Sequence, residues 1–352
     1  MTAYYVSNSG SDSNNGLSEV NAFATPGYAA SIATTVGDII YIKADGDYNL
    51  SNTTYNTSGG PMDMSDRVSA VGYGTTIGDN VKATINNNGF TPSLGLVNHA
   101  GGDSNGDPYH ISNLILDGKS DGSSEVLTIL YSQGNDENLV LYNCELQGGT
   151  AGQLVYRGNS FGIAAINCVF RLRPTGAIGQ IINCFADRSQ VTGFDYCVNT
   201  VSKNSGVLAH FTSLGVNCFD GGLSSVCSNC IAYNEPGWFN VDTKPFGNNS
   251  RFSNGAAITN CIGWGGGVLP YFATVSTSGL SATENLAWGN FLNPFDAAGT
   301  YGGPWTYGEY YNRNTFEIFE DPFVDAANND FRLKNSGSGL QLRNNFVARN
   351  LP

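Results

Sequence analysis

Short apolar runs, each closed by a polar or glycine-rich exit, recur through the middle of the chain. They read YNCELQGG (142–149), INCVFRL (166–172), INCFADRS (182–189), VNCFDGG (216–222), SNCIAYNE (228–235), TNCIGWGG (259–266) and TENLAWGN (283–290). Runs this short, bounded by Gly and Asn, predict strands rather than helices. Six of the eight cysteines sit in the dipeptide Asn-Cys, at 143–144, 167–168, 183–184, 217–218, 229–230 and 260–261. Cys144 to Cys168 is 24 residues, Cys197 to Cys218 is 21, and Cys184 to Cys230 is twice 23. A period near 22–24 with insertions, and three short strands per period, predicts a parallel β-helix. The separations of 16 (Cys168 to Cys184) and 12 (Cys218 to Cys230) are too short for a full coil on this reading. They put the Asn-Cys unit on more than one strand of the coil.

In such a solenoid each coil lies on the one before it, about 4.8 Å away, so like residues stack in ladders. Asn at a turn bonds to the Asn above and below and tolerates left-handed backbone. Gly supplies further positive-φ corners. Helix signals are almost confined to Thr25-Pro26-Gly27-Tyr28-Ala29-Ala30-Ser31-Ile32-Ala33. Thr25 reads as its N-cap, Pro26 as its first residue, and Ala29, Ala30 and Ala33 as a small-residue face. A solenoid end exposes core and strand edges, and this helix is expected to cap the first coil.

Composition sharpens the picture. The chain has 352 residues, 45 Gly and 41 Asn, and only 13% are charged, about half the usual share. The surface must therefore be built from Asn, Ser, Thr and Gly. A net charge of −13 and the lack of a basic run argue against nucleic acid and against an anionic membrane surface. No apolar stretch reaches the ~18–20 residues of a spanning helix, so no membrane insertion is expected. The opening MTAYYVSNSGSD has neither the basic nor the apolar region of a secretion signal, which implies a mature chain or one not exported by that route. Cys227-Ser228-Asn229-Cys230 has the form of a redox pair or half a zinc site, but no second CxxC exists. The constant Asn-Cys context favours cysteine as a small inward-packing hydrophobe.

Three segments carry a family resemblance. The opening Tyr4-Tyr5-Val6-Ser7-Asn8-Ser9-Gly10-Ser11-Asp12-Ser13-Asn14-Asn15-Gly16, with Gly37-Asp38-Ile39-Ile40-Tyr41-Ile42, resembles the start of pectate-lyase-like right-handed parallel β-helix proteins. Ile111-Ser112-Asn113-Leu114-Ile115-Leu116-Asp117-Gly118 is similar to an internal coil of that superfamily, and Asp321-Pro322-Phe323-Val324-Asp325 with Asn329-Asp330-Phe331-Arg332-Leu333 to its closing segment. The resemblance implies an all-β, single-stranded right-handed parallel β-helix with a short N-terminal capping helix. It divides the chain into cap and first coil (1–48), β-helix body (49–335) and C-terminal tail (336–352), as one structural domain. The tail departs from the superfamily pattern and reads either as a C-terminal cap or as a partner-binding segment. Such folds serve polysaccharide lyases and hydrolases, adhesins, tailspikes and other virion proteins, so the fold does not choose a function.

A lyase needs a base for the proton α to a uronate carboxylate, a positive group or calcium for the enolate, and a groove. The densest charged set in the repeats contains Arg171, Arg173, Asp187, Arg188, Asp195 and Lys203. On the lyase reading Arg188 and Lys203 are the catalytic residues, and Asp187 and Asp195 hold calcium, the one cofactor considered. The bland alternative is a solvated coil exterior with weak surface ion pairs. A hydrolase would draw on Asp103, Asp107, Asp117, Asp121, Glu235 or Asp242, but no adjacent Asp pair marks the middle coils. Tyr233, Trp264 and Trp288 align in successive repeats, with Trp238 nearby. Facing outward they form a glycan-binding stripe; facing inward they are a core ladder, which the pattern slightly favours.

Low charge, unpaired cysteines and the lack of a convincing catalytic set favour a phage virion surface protein, a capsid decoration or tailspike-type chain, structural and glycan-binding. Its expected partners are two further copies in a homotrimer, virion proteins and cell-surface polysaccharide, and its expected location is the virion surface. The alternatives are an extracellular polysaccharide lyase acting on an anionic glycan by β-elimination and a bacterial adhesin.

Overall fold

A single left-handed residue between two short strands sets the geometry of the coils. Asn113, Asn143, Asn167, Asn183, Asn199 and Asn229 all have φ between 50° and 55°. Asn is the non-glycine residue that adopts this conformation most readily, because its short polar side chain bonds locally. The computed structural model describes residues 1–49, 62–65, 68–86, 96–100, 109–118, 130–133, 139–147, 155–157, 163–171, 178–188, 191–192, 194–203, 219–220, 226–233, 257–259, 261–264, 282–284, 287–289 and 316–345. The chain divides into two compact units, Met1–Gly179 and Gln180–Pro352.

In the first unit, sheet A stacks Ala3–Val6, Ile39–Lys43, Ser69–Tyr73, Tyr109–Ser112, Leu139–Tyr142 and Ala164–Ile166. Sheet B stacks Asp47–Asn49, Ala83–Asn86, Leu114–Asp117, Glu145–Gln147 and Val169–Arg171. Sheet C stacks Met62–Ser65, Val97–Ala100, Leu130–Gln133 and Val155–Arg157. The chain visits A, B and C in turn, and the pairings are parallel. In the second unit, sheet A stacks Gln180–Ile182, Tyr196–Val198, Val226–Ser228, Ala257–Thr259 and Ala282–Glu284. Sheet B there stacks Phe185–Asp187, Val201–Lys203, Ile231–Tyr233, Ile262–Trp264, Ala287–Gly289 and Phe316–Ile318. Each unit is thus built of parallel β-helix coils, with the right-handed crossover that twisted parallel strands impose.

Registers locate the core. Ile40, Ala70, Ile111, Leu141 and Ala165 form one inward row of sheet A in the first unit. Tyr48, Ile85, Leu116, Leu146 and Phe170 form the facing row of sheet B. All ten are buried. In the second unit the sheet B inner row narrows to Ala186, Ser202, Ala232 and Gly263.

The bend explains the Asn-Cys dipeptide. Asn143 Nδ2 donates to Asn113 Oδ1 at 2.8 Å, and Asn199 Nδ2 to Asn183 Oδ1 at 3.1 Å. The following cysteine turns inward, and its thiol donates to the carbonyl two residues back: Cys144 to Tyr142 (3.4 Å), Cys168 to Ile166 (3.4 Å), Cys184 to Ile182 (3.3 Å) and Cys230 to Ser228 (3.3 Å). Thr200 takes the same place after Asn199, and its hydroxyl bonds Val198 O at 3.1 Å. Among the described residues the dipeptide therefore marks one bend, between sheets A and B, and not several strands. A sixteen-residue step does make a full coil from Asn183 to Asn199, since Gln180 pairs with Tyr196. Cys218 lies outside the described residues.

Helix α1, Pro26–Ile32, forms as the sequence predicts. Thr25 caps it by accepting from Tyr28 N at 3.3 Å, and Ala29, Ala30 and Ala33 are buried. Between Tyr73 and Ala83 the one-residue bend gives way to a loop organised by Asp79. Its carboxylate accepts from the amides of Gly74, Thr75, Thr76 and Val81 at 2.9–3.2 Å. Those amides, Gly74 first, hold Asp79 down at about 2.

Asn143→Ala should cost about 1–3 kcal/mol in denaturant unfolding, from left-handed strain and the lost Asn113 bond. Asn143→Gly should cost clearly less, and equal losses would remove the conformational explanation. A depressed carboxyl contributes stability that is complete above its unfolded value and fades as pH falls through its folded one. Asp79 should therefore stabilise the native chain above pH ~4 and lose its effect between pH ~4 and ~2, and Asp79→Asn should flatten acid unfolding in that window, read by circular dichroism.

Candidate functional site

The outer face of sheet B in the second unit gathers Asp187, Lys203, Tyr233 and Trp264, four of the eight candidate side chains. One outer row runs Asp187, Lys203, Tyr233, Trp264; its neighbour runs Phe185, Val201, Ile231, Ile262. A strand with one solvated face alternates buried and exposed residues, yet all three residues of Val201–Lys203 and of Ile231–Tyr233 are buried. The cover is the C-terminal segment. Phe323–Asp325 pairs antiparallel with Asp330–Leu333 around a short 3-10 turn at Ala326–Asn328, and helix α2 follows at Gly337–Asn345. Ile318, Phe323, Ala326, Phe331, Leu333 and Leu342 bury themselves against Val201, Ile231, Tyr233 and Ile262.

Under this cover Lys203 Nζ donates to Ala327 O at 2.8 Å and Asn329 Oδ1 at 3.0 Å. Tyr233 donates its hydroxyl to Asp321 Oδ2 at 3.2 Å, and its ring meets Phe323 and Phe331 edge-on at 5.9 and 5.6 Å. Trp264 is partly buried and packs against the same cluster. Asp187 and Lys203 are register partners on neighbouring coils. Arg188 adopts φ 51°, donates its amide to Lys203 O at 2.7 Å, and brings Nε to 3.9 Å from Asp187 Oδ1. Asp195 is exposed ahead of the sheet A strand Tyr196–Val198, and its carbonyl accepts from Val226 N at 2.8 Å. Trp238 lies outside the described residues.

The aromatic alignment needs one correction. Tyr233 pairs with Trp264 as expected, but Trp264 pairs with Gly289, and Trp288 pairs with Gly263. The slip already exists in sheet A, where Thr259 stands beside Glu284 rather than Thr283. Trp288 is therefore not in the ladder of Tyr233 and Trp264.

A polar row missed by the sequence reading runs along sheet B of the first unit. Asn49, Asn86, Asp117, Gln147 and Arg171 are register partners in turn. Asn86 Nδ2 donates to Asp47 Oδ2 at 3.3 Å, while its buried Oδ1 has no partner among the described residues. Arg171 Nε donates to Glu145 Oε1 at 2.6 Å. The signal was the polar residue closing each strand of DYN, ATIN, LILD, ELQ and VFR, visible only once the coils are in register. Of the carboxylates considered for hydrolysis, Asp117 is buried in this row. Asp103, Asp107, Asp121, Glu235 and Asp242 lie outside the described residues, as does Arg173.

Among the described residues, the group of three or more His, Cys, Asp or Glu atoms close enough to share a metal is Cys197, Cys227 and Cys230. Asp187 and Asp195 belong to no such group. Burial pushes the thiols of Cys144, Cys197, Cys227 and Cys261 well above their ordinary value.

No family model and no curated protein matches the chain. Among solved structures, pectate lyase Pel9A superposes with a TM-score of 0.53 at 12% identity, covering 96% of this chain and 90% of the enzyme. A rhamnogalacturonan lyase gives 0.40 at 13% identity (82% and 74% covered), and the Aspergillus niger pectin methylesterase 0.39 at 13% (86% and 88%). The first superposition and the parallel registers agree: this chain has the right-handed parallel β-helix fold.

Proposed function

We propose that the chain is a non-enzymatic surface protein of a phage virion, a decoration or tailspike-type subunit that assembles as a homotrimer and presents its coils to polysaccharide. The observation that carries this reading is the position of Lys203. On the lyase reading this amine is a catalytic group; here it is buried and bonded to Ala327 O and Asn329 Oδ1. Tyr233, a candidate sugar platform, is buried beneath the same segment. Packing of the second unit thus consumes Lys203, one of the two side chains that the lyase reading makes catalytic. The buried cysteines among the described residues form no disulfide, which adds support, because a chain folded in an oxidising compartment tends to pair its cysteines, whereas virion proteins fold in a reducing cytoplasm. The fold relative Pel9A is a pectate lyase, which supports a carbohydrate as the facing partner. Calcium at Asp187 and Asp195 belongs to the rival lyase reading.

Incubation with pectate, alginate and related polymers, with and without calcium, should release no unsaturated product by ultraviolet absorbance. Steady release, abolished by Lys203→Ala in a folded chain, would establish the lyase instead. Antibody raised against the chain should label purified particles, and sedimentation should give three copies. Lys203→Ala should lower stability by roughly 1–3 kcal/mol, because two acceptors of the C-terminal segment lose a charged donor.

A further inference from the structure

Two cysteines stand outside the Asn-Cys repeat: Cys197 and Cys227. They are register partners in adjacent sheet A strands of the second unit. Ile181 and Ile258 hold the flanking positions of that row, and the matching row of the first unit holds Ile40, Ala70, Ile111, Leu141 and Ala165. The row therefore accepts ordinary aliphatic residues, and apolar filling alone does not call for two successive thiols. Nor does the bend-closing bond, which belongs to the cysteine after each Asn.

Cys227 comes three residues before the bend cysteine Cys230. The Sγ atoms of Cys197, Cys227 and Cys230 all lie within 4.8 Å of one another, and Cys197 and Cys230 are 3.8 Å apart. Sulfurs bound to one tetrahedral zinc at ~2.3 Å stand ~3.8 Å from each other. The three residues are fully buried at 0% exposure. Cys261, at the same bend one coil on, donates its thiol to Cys227 O at 3.6 Å. The two cysteines that the repeat does not explain are thus the two that complete a thiol triangle with one that it does.

We propose that Cys197, Cys227 and Cys230 bind one thiophilic divalent cation of the zinc class within the second unit, with Cys261 beside it. Three S–H bonds give up their protons to solvent as three metal–sulfur bonds form. Cys261 keeps its proton and donates it to Cys227 O. No oxidant takes part. Because the group is sealed from solvent, the ion enters while the coils wind, and its binding energy becomes folding energy.

The full chain, expressed with added zinc, should carry about one equivalent of zinc by elemental mass spectrometry. Expressed with cadmium, it should show the ultraviolet sulfur-to-cadmium charge-transfer band. Denatured and stripped of metal, it should titrate as eight free thiols, the full cysteine complement. Cys197→Ala and Cys227→Ala should lose the metal, while Cys144→Ala, at a repeat cysteine, should keep it. Absence of both zinc and the cadmium band, metal retained in folded Cys197→Ala and Cys227→Ala, or only six thiols (which would mean a disulfide) would each overturn the proposal. If those variants fail to fold, the wild-type zinc content and cadmium band decide.

Discussion

Turning a chain between two sheets with one residue, while leaving no buried amide unpaired, is the constraint on which this structure depends. The left-handed Asn makes the turn, and the ladder of backbone bonds runs through it. Val169 N reaches Cys144 O, Val201 N reaches Cys184 O, Ile231 N reaches Thr200 O and Ile262 N reaches Cys230 O, all at 2.8–3.0 Å. The residue after the Asn must then be small, face inward and offer a donor to the carbonyl behind it. Cysteine and threonine both satisfy that demand, which is why Thr200 interrupts the cysteine series without disturbing the coil. Each bond is worth only about 0.5–1.5 kcal/mol net, but a missing one would strand a polar group in the core at a greater cost.

That constraint explains how much of the fold the sequence disclosed. Asn-Cys was legible because each coil needs the same bend, and Thr25-Pro26 was legible because helix capping is local. The meaning of the sixteen-residue spacing was not. Coil length varies while the bend stays one residue long, so a spacing of sixteen looked like a fraction of a turn, yet the step from Asn183 to Asn199 is a whole one. The slip at Trp288 was hidden for a related reason. An alignment of TNCIGWGG with TENLAWGN matches tryptophans, whereas the sheet matches backbone bonds, and a one-residue slip changes every partner in the strand.

The candidate site was less legible than the fold. Sequence reading set Arg188 and Lys203 on neighbouring coils only as a condition of the lyase reading, and it gave no sign that the C-terminal segment lies over Lys203. A lysine in a repeat reads as solvated until its distant acceptors are known, and Ala327 and Asn329 are more than a hundred residues away in the chain. Local pattern cannot supply that information. The polar row of the first unit was equally hidden, because its members are adjacent only across coils.

The covered face also bears on why the second unit can afford an inner row as small as Ala186, Ser202, Ala232 and Gly263. Small inward residues bury little area, so those coils gain less from their interior than the coils holding Ile85, Leu116, Leu146 and Phe170. The deficit is met from outside. Phe323, Phe331 and Leu342 bury the outer row and turn a one-sided sheet into a two-sided one. A parallel sheet is normally covered on both faces, and here the chain's own C-terminal segment provides the second cover. The outer aromatic row of the second unit is thus part of a core, and the apolar character that suggested a sugar platform in the sequence follows from that burial.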